Sequence, residues 1–323
     1  MKTKFRLLVI VVPIAYFLTA PISPAQSSLS DKSIFQRTFD LAGKRTQEPQ
    51  YFFMETALIQ YALNGTRTGT TIYRLCLKFA PAKNAETDGN YICARFTVQQ
   101  GDEPEKEIPA LTGWTYAFDA SGIDEKKQVF GIDHSKFKNL TDSDGHPLPI
   151  EKSYHVYNTF IDFHSFCNVF AERTTDGNGI QDLKRIGQKI VHAAAFSEPP
   201  VNLGSQVAEG SYFKNGQITL ELKGLSAVQG KPCALVAYDS GESSFKMIMQ
   251  VTPEMKIQTV GSSHYFGDIY KDLSTNWVQK ATMTETVVSE TSLPMPPHKI
   301  NAVIERQSVI QNVSAEEFCV GSK

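Results

Sequence analysis

The sequence predicts an α+β fold, mainly β: a curved antiparallel sheet, as a half-barrel or a two-sheet arrangement, under a helical cover from the middle of the chain. Three observations predict it. Alternating apolar runs bounded by Gly, Pro, Ser or Asp recur roughly every ten residues through the last third of the 323-residue chain, with no helices between them, which favours antiparallel pairing. Between 158 and 195 the apolar spacing lengthens to three and four, a helix period. Several strands are polar on one side, so one sheet face meets water or a ligand.

The chain opens on a leader. Lys2, Lys4 and Arg6 precede "LLVIVVPIAYFLTA" (7 to 20), and "PISPAQSS" places Ser23 and Ala25 where a cleavage site needs small residues. Fourteen apolar residues are short for a bilayer span, which needs about 20. Export to the periplasm, the cell envelope or the medium is therefore expected, with no stable membrane span after processing. Loss of residues 1–25 removes three of the 32 positive charges and none of the 34 negative ones, leaving net −5 over 298 residues. A mildly acidic chain without a basic run is not built to hold nucleic acid.

Residues 26–50 read as a tail with a short helix, where Ile34, Phe35, Thr38, Phe39 and Ala42 share one face. A mainly antiparallel domain follows over 51–313, in two strand blocks, 51–135 and 210–313. Whether they share one sheet is open. Asn64-Gly65 marks a hairpin turn, and "WTYAF" (114 to 118) and "KKQVFGI" (126 to 132) are short strands. Two helices, 158–171 and 180–195, carry the apolar sets Phe160, Phe163, Phe166, Phe170 and Ile180, Leu183, Ile186, Ile190. A tail closes the chain over 314–323.

Five cysteines lie at 76, 93, 167, 233 and 319. Cys76 shares a strand face with Arg74 and Lys78, opposite Tyr73, Leu75, Leu77 and Phe79. Cys93 shares one with Arg95, opposite Ile92, Ala94, Phe96 and Val98. A hairpin folding near residues 84 and 85 makes Cys76 and Cys93 cross-strand neighbours, near disulfide range. A Cys76–Cys93 bridge is expected, while pairing among Cys167, Cys233 and Cys319 stays open.

The stretch most suggestive of chemistry is "YNTFIDFHSFCNVF" (157 to 170), with Asp162, His164, Ser165 and Cys167. On a helix, residues two apart point about 200° from one another, so Asp162 and His164 do not grip one metal together. Cys167 continues the phenylalanine face, and a core helix is the favoured reading. "TDSDGHPLPIE" fits a calcium loop at Asp142, Asp144, Gly145 and Glu151. Leu140 stands at the first ligand position, however, and Pro147 and Pro149 oppose the exit helix. His264 with Asp268 or Asp239 could serve a hydrolase, but Ser240 lacks the Gly-x-Ser-x-Gly frame. Walker, Gly-x-Gly-x-x-Gly, Cys-x-x-Cys and His-Glu-x-x-His patterns are missing, so no cofactor and no metal are expected.

The segment "YFGDIYKDLSTNWVQKATMTETVV" (265 to 288) pairs a strand ending in Asp-Leu with a polar turn and a returning Trp-Val-x-Lys-Ala strand. It resembles exported bacterial half-barrel proteins, of which the lipoprotein-carrier (LolA-like) group is best described. The likeness covers about a third of the chain and transfers no site residue. It implies a concave sheet face that holds an apolar ligand, a lipid for instance, under helices. The leading expectation is thus a non-enzymatic exported protein binding an apolar or amphiphilic ligand. The alternatives are an envelope module that binds another envelope protein, built as a packed two-sheet sandwich, and the His264 hydrolase.

Overall fold

The computed structural model describes residues 36–82, 89–119, 129–171, 178–198, 200–201, 203, 207–252 and 254–319. The expected leader, the first part of the expected N-terminal helix, residues 126–128 of one expected strand and the last four residues lie outside these. Both strand blocks join one large curved, unclosed antiparallel sheet. Its strands are β1 (Gln50–Tyr61), β2 (Arg67–Ala80), β3 (Asn90–Gln100), β4 (Lys106–Glu107), β5 (Thr115–Ala117), β6 (Lys189–Ala193), β7 (Phe196–Glu198), β8 (Tyr212–Asn215), β9 (Ile218–Val228), β10 (Lys231–Asp239), β11 (Ser243–Thr252), β12 (Met255–Asp272), β13 (Val278–Ser292) and β14 (Lys299–Val313).

The order runs β4-β3-β2-β1-β14-β13-β12, and there the sheet forks. The C-terminal half of β12 pairs with β10, leading to β9 and β6; its N-terminal half pairs with β11, leading to β8 and β7. The fork follows from length. β12 has 18 residues, and β10 and β11 each cover about half of it.

Alternation decides the faces. In β1, Phe52, Met54, Thr56 and Leu58 are buried, while Glu55 turns outward to Arg74 at 2.7 Å. In β2, Tyr73, Leu75, Leu77 and Phe79 line the same inner face. Helix α1 (Ile150–His164) lies against it, and its last turn widens into a π-turn over Ser165–Val169. Phe163 meets Phe52 edge-on at 5.0 Å, Phe160 stacks on Phe96 at 5.7 Å, and Phe166 stacks on Tyr238 at 4.9 Å. The phenylalanine face expected at 158–171 is this contact. The helix starts earlier because Pro149 stands at its N-cap, where the lost N–H costs nothing.

The expected second helix, 180–195, does not form. Ile180 and Leu183 do reach the core, but from a 3₁₀ turn (Ile180–Asp182). Gly187 then adopts φ +83, and Ile190 joins β6 opposite Leu220. An i, i+3 spacing crossing a glycine fits a turn followed by a strand as well as a helix. Residues 37–42 are likewise not helical. Phe39 N–H donates to the Lys184 carbonyl, and the Leu41 carbonyl accepts from buried Lys271. Val129 and Ile132 make only an isolated bridge around Phe130 and Gly131, both at positive φ.

The β2–β3 register differs from the one that motivates a Cys76–Cys93 bridge. Cys76 stands opposite Arg95 and Leu77 opposite Cys93, with a bulge between. One extra residue in β3 reverses the faces beyond it. Cys93 therefore points into the core, fully buried, while Cys76 lies on the outer face.

The hairpin of β12 and β13 is present, closed by Leu273–Trp277. Asp272 Oδ1 accepts from the Ser274 and Thr275 N–H groups, and Trp277 Nε1 donates to the Thr46 carbonyl at 2.9 Å. At Gly267 the two strands nearly touch. A Cβ there would sit 1.9 Å from the Thr282 carbonyl oxygen and 2.8 Å from the Tyr238 hydroxyl, which donates to that same carbonyl. Gly267→Ala must push β12 from β13 and break this bond. A loss of about 3 kcal/mol is expected, as for overpacked interiors, measured by urea unfolding.

Candidate functional site

The four residues of the 157–170 stretch go to separate tasks. Asp162 Oδ2 is 2.7 Å from Arg306 Nη1, and Arg306 Nε is 2.6 Å from Glu285 Oε2. The three side chains are only 14%, 13% and 10% exposed. Burial raises the Asp162 pKa to about 6 despite Arg306, and Glu285 pushes the same way. The sequence reading missed this triad. Its signal was present: Glu285 follows Met283, and Arg306 follows Ile304, in the strand register that points inward.

His164 is buried among Tyr91, Tyr116, Phe118 and Phe163. The Asn168 Oδ1 accepts from Arg45 Nη1 at 2.6 Å and from the Tyr91 hydroxyl at 3.0 Å. The Asn168 amide NH₂ therefore faces His164 Nδ1, 2.6 Å away, and Nδ1 is the acceptor. The proton sits on Nε2, 2.7 Å from the Tyr116 oxygen. Burial, with the Arg45 cation behind it, lowers the pKa to about 3. Ser165 returns its hydroxyl to the Ile161 carbonyl, and Cys167 is buried with its carbonyl bound by Arg45. The cluster is core.

The residues proposed for hydrolysis meet on the outer face. His264 Nε2 lies 3.1 Å from Asp239 Oδ1, both about half exposed. Burial raises the Asp239 pKa, but the Gly241 N–H and His264 together hold it below the usual carboxylate range. Asp239 and Asp268 border a groove of about 400 Å³ with Lys189, Glu221, Phe266, Thr282 and Thr284. Ser240 is not a nucleophile for it. That side chain is fully buried, donates to the Gly241 carbonyl and accepts from the Tyr265 N–H. The groove offers carboxylates, a lysine, threonines and the rings of Phe266 and Tyr238, without a serine or cysteine among its described lining.

Asp142, Asp144 and His146 converge at the turn whose sequence only partly fits a calcium loop. Asp142 Oδ1 accepts from the Asp144 and His146 N–H groups, and Lys106 Nζ contacts Asp142 and Asp144 at 3.3 and 3.0 Å. Glu151 has instead entered the first turn of α1. Lys106 thus places a positive charge beside both carboxylates.

The inner face is covered unevenly. Beneath α1 and its π-turn, Leu75, Leu77, Phe96, Val236 and Ile269 have no exposure. Beyond them, on the wing of β11–β14, Phe245, Met247, Met249, Ile257, Val287 and Ile304 share the same face yet remain half-buried, and Ile300 is 47% exposed. The outward side of the wing carries Val260 and Val288, 38% and 49% exposed. Polar threonines and serines alternate with these residues, so neither side repels water completely.

No family model and no curated protein matches the chain. Among solved structures, the outer membrane protein OmpT of Vibrio cholerae, in vitro folded and in trimer form, is similar at 9% identity and TM-score 0.16. The alignment covers 82% of this chain and 99% of that one. A TM-score of this size carries no argument about fold or function. No helix among the described residues is long and apolar enough to cross a membrane.

Proposed function

We propose that this is an exported, non-enzymatic protein that takes an apolar or amphiphilic molecule on the uncovered inner face of its β11–β14 wing. One observation carries the reading: a single inner face is sealed under α1 and left half-open beyond it, along a row of methionine, isoleucine and phenylalanine side chains. Methionines suit such a surface, being unbranched and adaptable. The half-barrel resemblance supports a concave ligand face. Here, though, the helix phenylalanines fill the part beneath them, and the ligand is assigned to what they leave. Burial of Ser240 speaks against hydrolysis through His264.

The test is saturable binding of anilinonaphthalene sulfonate and of a fluorescent fatty acid to the delipidated protein. Met249→Asp should weaken binding at least about tenfold, the loss of roughly one buried side chain's transfer energy. Val288→Asp, on the other side of the same wing, should leave it unchanged. Absence of saturable binding by folded protein refutes the reading. The exposed Val260 and Val288 favour the second reading, a protein partner. Loss of binding on Val288→Asp but not Met249→Asp would select it.

A further inference from the structure

After β14 the chain turns back over the outer face of the sheet. Phe318 packs its ring on Tyr51 of β1, centroids 5.1 Å apart, and the next residue, Cys319, brings its thiol into hydrogen-bond contact with Cys76 of β2. Cys76 is 5% exposed on a face whose neighbours Arg74 and Lys78 are only half-buried. The contact spans the sequence, joining the second strand to the end of the described chain. Arg95, directly across from Cys76, supplies a cation beside both sulfurs.

We propose that Cys76 and Cys319 are the redox-active pair of this protein and form a disulfide that clasps the C-terminal tail to the outer face. Cys319 is the entering thiolate. The Cys76 S–H donates to it and Arg95 lies near, so its pKa falls below the ordinary thiol value even though partial burial opposes this. It attacks a disulfide oxidant of the thiol-exchange type, displacing one thiolate of the oxidant. Cys76, giving up its proton, then attacks the mixed disulfide at Cys319 and expels the second. Two protein thiols lose two protons and two electrons, and the oxidant leaves as two thiols. Cys93 is not a competitor, because the β3 bulge turns it to the opposite side of the sheet.

The experiment is non-reducing peptide mapping of the full chain after exposure to oxidised glutathione, with free thiols alkylated first under native conditions. The expected result is one linked pair, Cys76 with Cys319, and alkylation of Cys93, Cys167 and Cys233 only after denaturation. In the Cys319→Ser protein, native alkylation of Cys76 should become at least tenfold faster. That readout is independent of whether Cys76→Ser folds. A Cys76–Cys93 link, or recovery of both Cys76 and Cys319 as free thiols after oxidation, overturns the proposal.

Discussion

Arg306→Met should destabilise the protein by about 3–5 kcal/mol near pH 8, the cost of removing one partner from a buried ion network. Among the described residues, Arg306 is the cation that contacts both Asp162 and Glu285, and neither carboxylate has much access to water. Without it, two buried negative charges from α1 and β13 face the same apolar space. Arg306→Lys should recover only part of the loss. A single ammonium lacks the planar fork that reaches the two carboxylates through separate nitrogens. Replacing all three at once, with Asp162→Leu, Glu285→Met and Arg306→Met, should bring stability back near the parent, since apolar substitutes of similar volume relieve the desolvation penalty. Urea unfolding at pH 8 and pH 5 checks the set. The Arg306→Met penalty should shrink at pH 5, where Asp162 takes up a proton. An equal penalty at both pH values would show that packing, not charge, is what Arg306 provides.

Alternation was enough to mark the long strands, because a half-buried strand writes its inward face at every second residue. Tyr73 to Phe79 reads correctly on that basis alone. It was not enough for registers. The bulge between Cys76 and Leu77 leaves no mark in composition, and by reversing the faces beyond it places Cys93 in the core. The segment 180–195 misleads for a related reason. Its apolar residues serve a 3₁₀ turn and then a strand, and the conformational freedom of Gly187 joins the two. At the candidate site, the sequence offered Asp268 or Asp239 beside His264, and the pairing of β10 with β12 brings Asp239 to it. The covered and uncovered parts of the inner face were not. Which methionines lie beyond α1 depends on how far a 15-residue helix reaches across strands of 15 and 18 residues, a tertiary fact.

Acidification from pH 7.5 to 5 should lower the unfolding free energy by roughly 2–3 kcal/mol, with buried histidines as the main cause. His155 and His164 are both held neutral by burial, with pKa values lowered to about 3 from 6.5, and a nearby arginine cation acts in the same direction at each. A depressed histidine pKa means that the unfolded chain binds protons the native state refuses. The stability is present above 6.5 and is lost as pH falls toward the native value, about 2 kcal/mol for each histidine by pH 5. Asp162 acts the other way. Its native pKa is raised to about 6 from 3.8, so its native carboxyl takes a proton first and returns about 1.4 kcal/mol over the same interval. His192, lowered by burial, adds to the loss, and Glu198, raised by burial, opposes it. His155 and His164 together outweigh Asp162, and the slope keeps the histidine sign. His155→Phe separates the contributions. The ring can keep its place against Tyr73, now 5.7 Å away, without a titrating nitrogen. The variant should lose about half of the histidine contribution between pH 7.5 and 5. Asp162→Asn should steepen the slope below pH 6, by removing the only one of the three groups whose protonation favours the native state. Urea midpoints across this range measure both changes, and a parent slope of opposite sign would mean that His155 and His164 are charged in the folded protein.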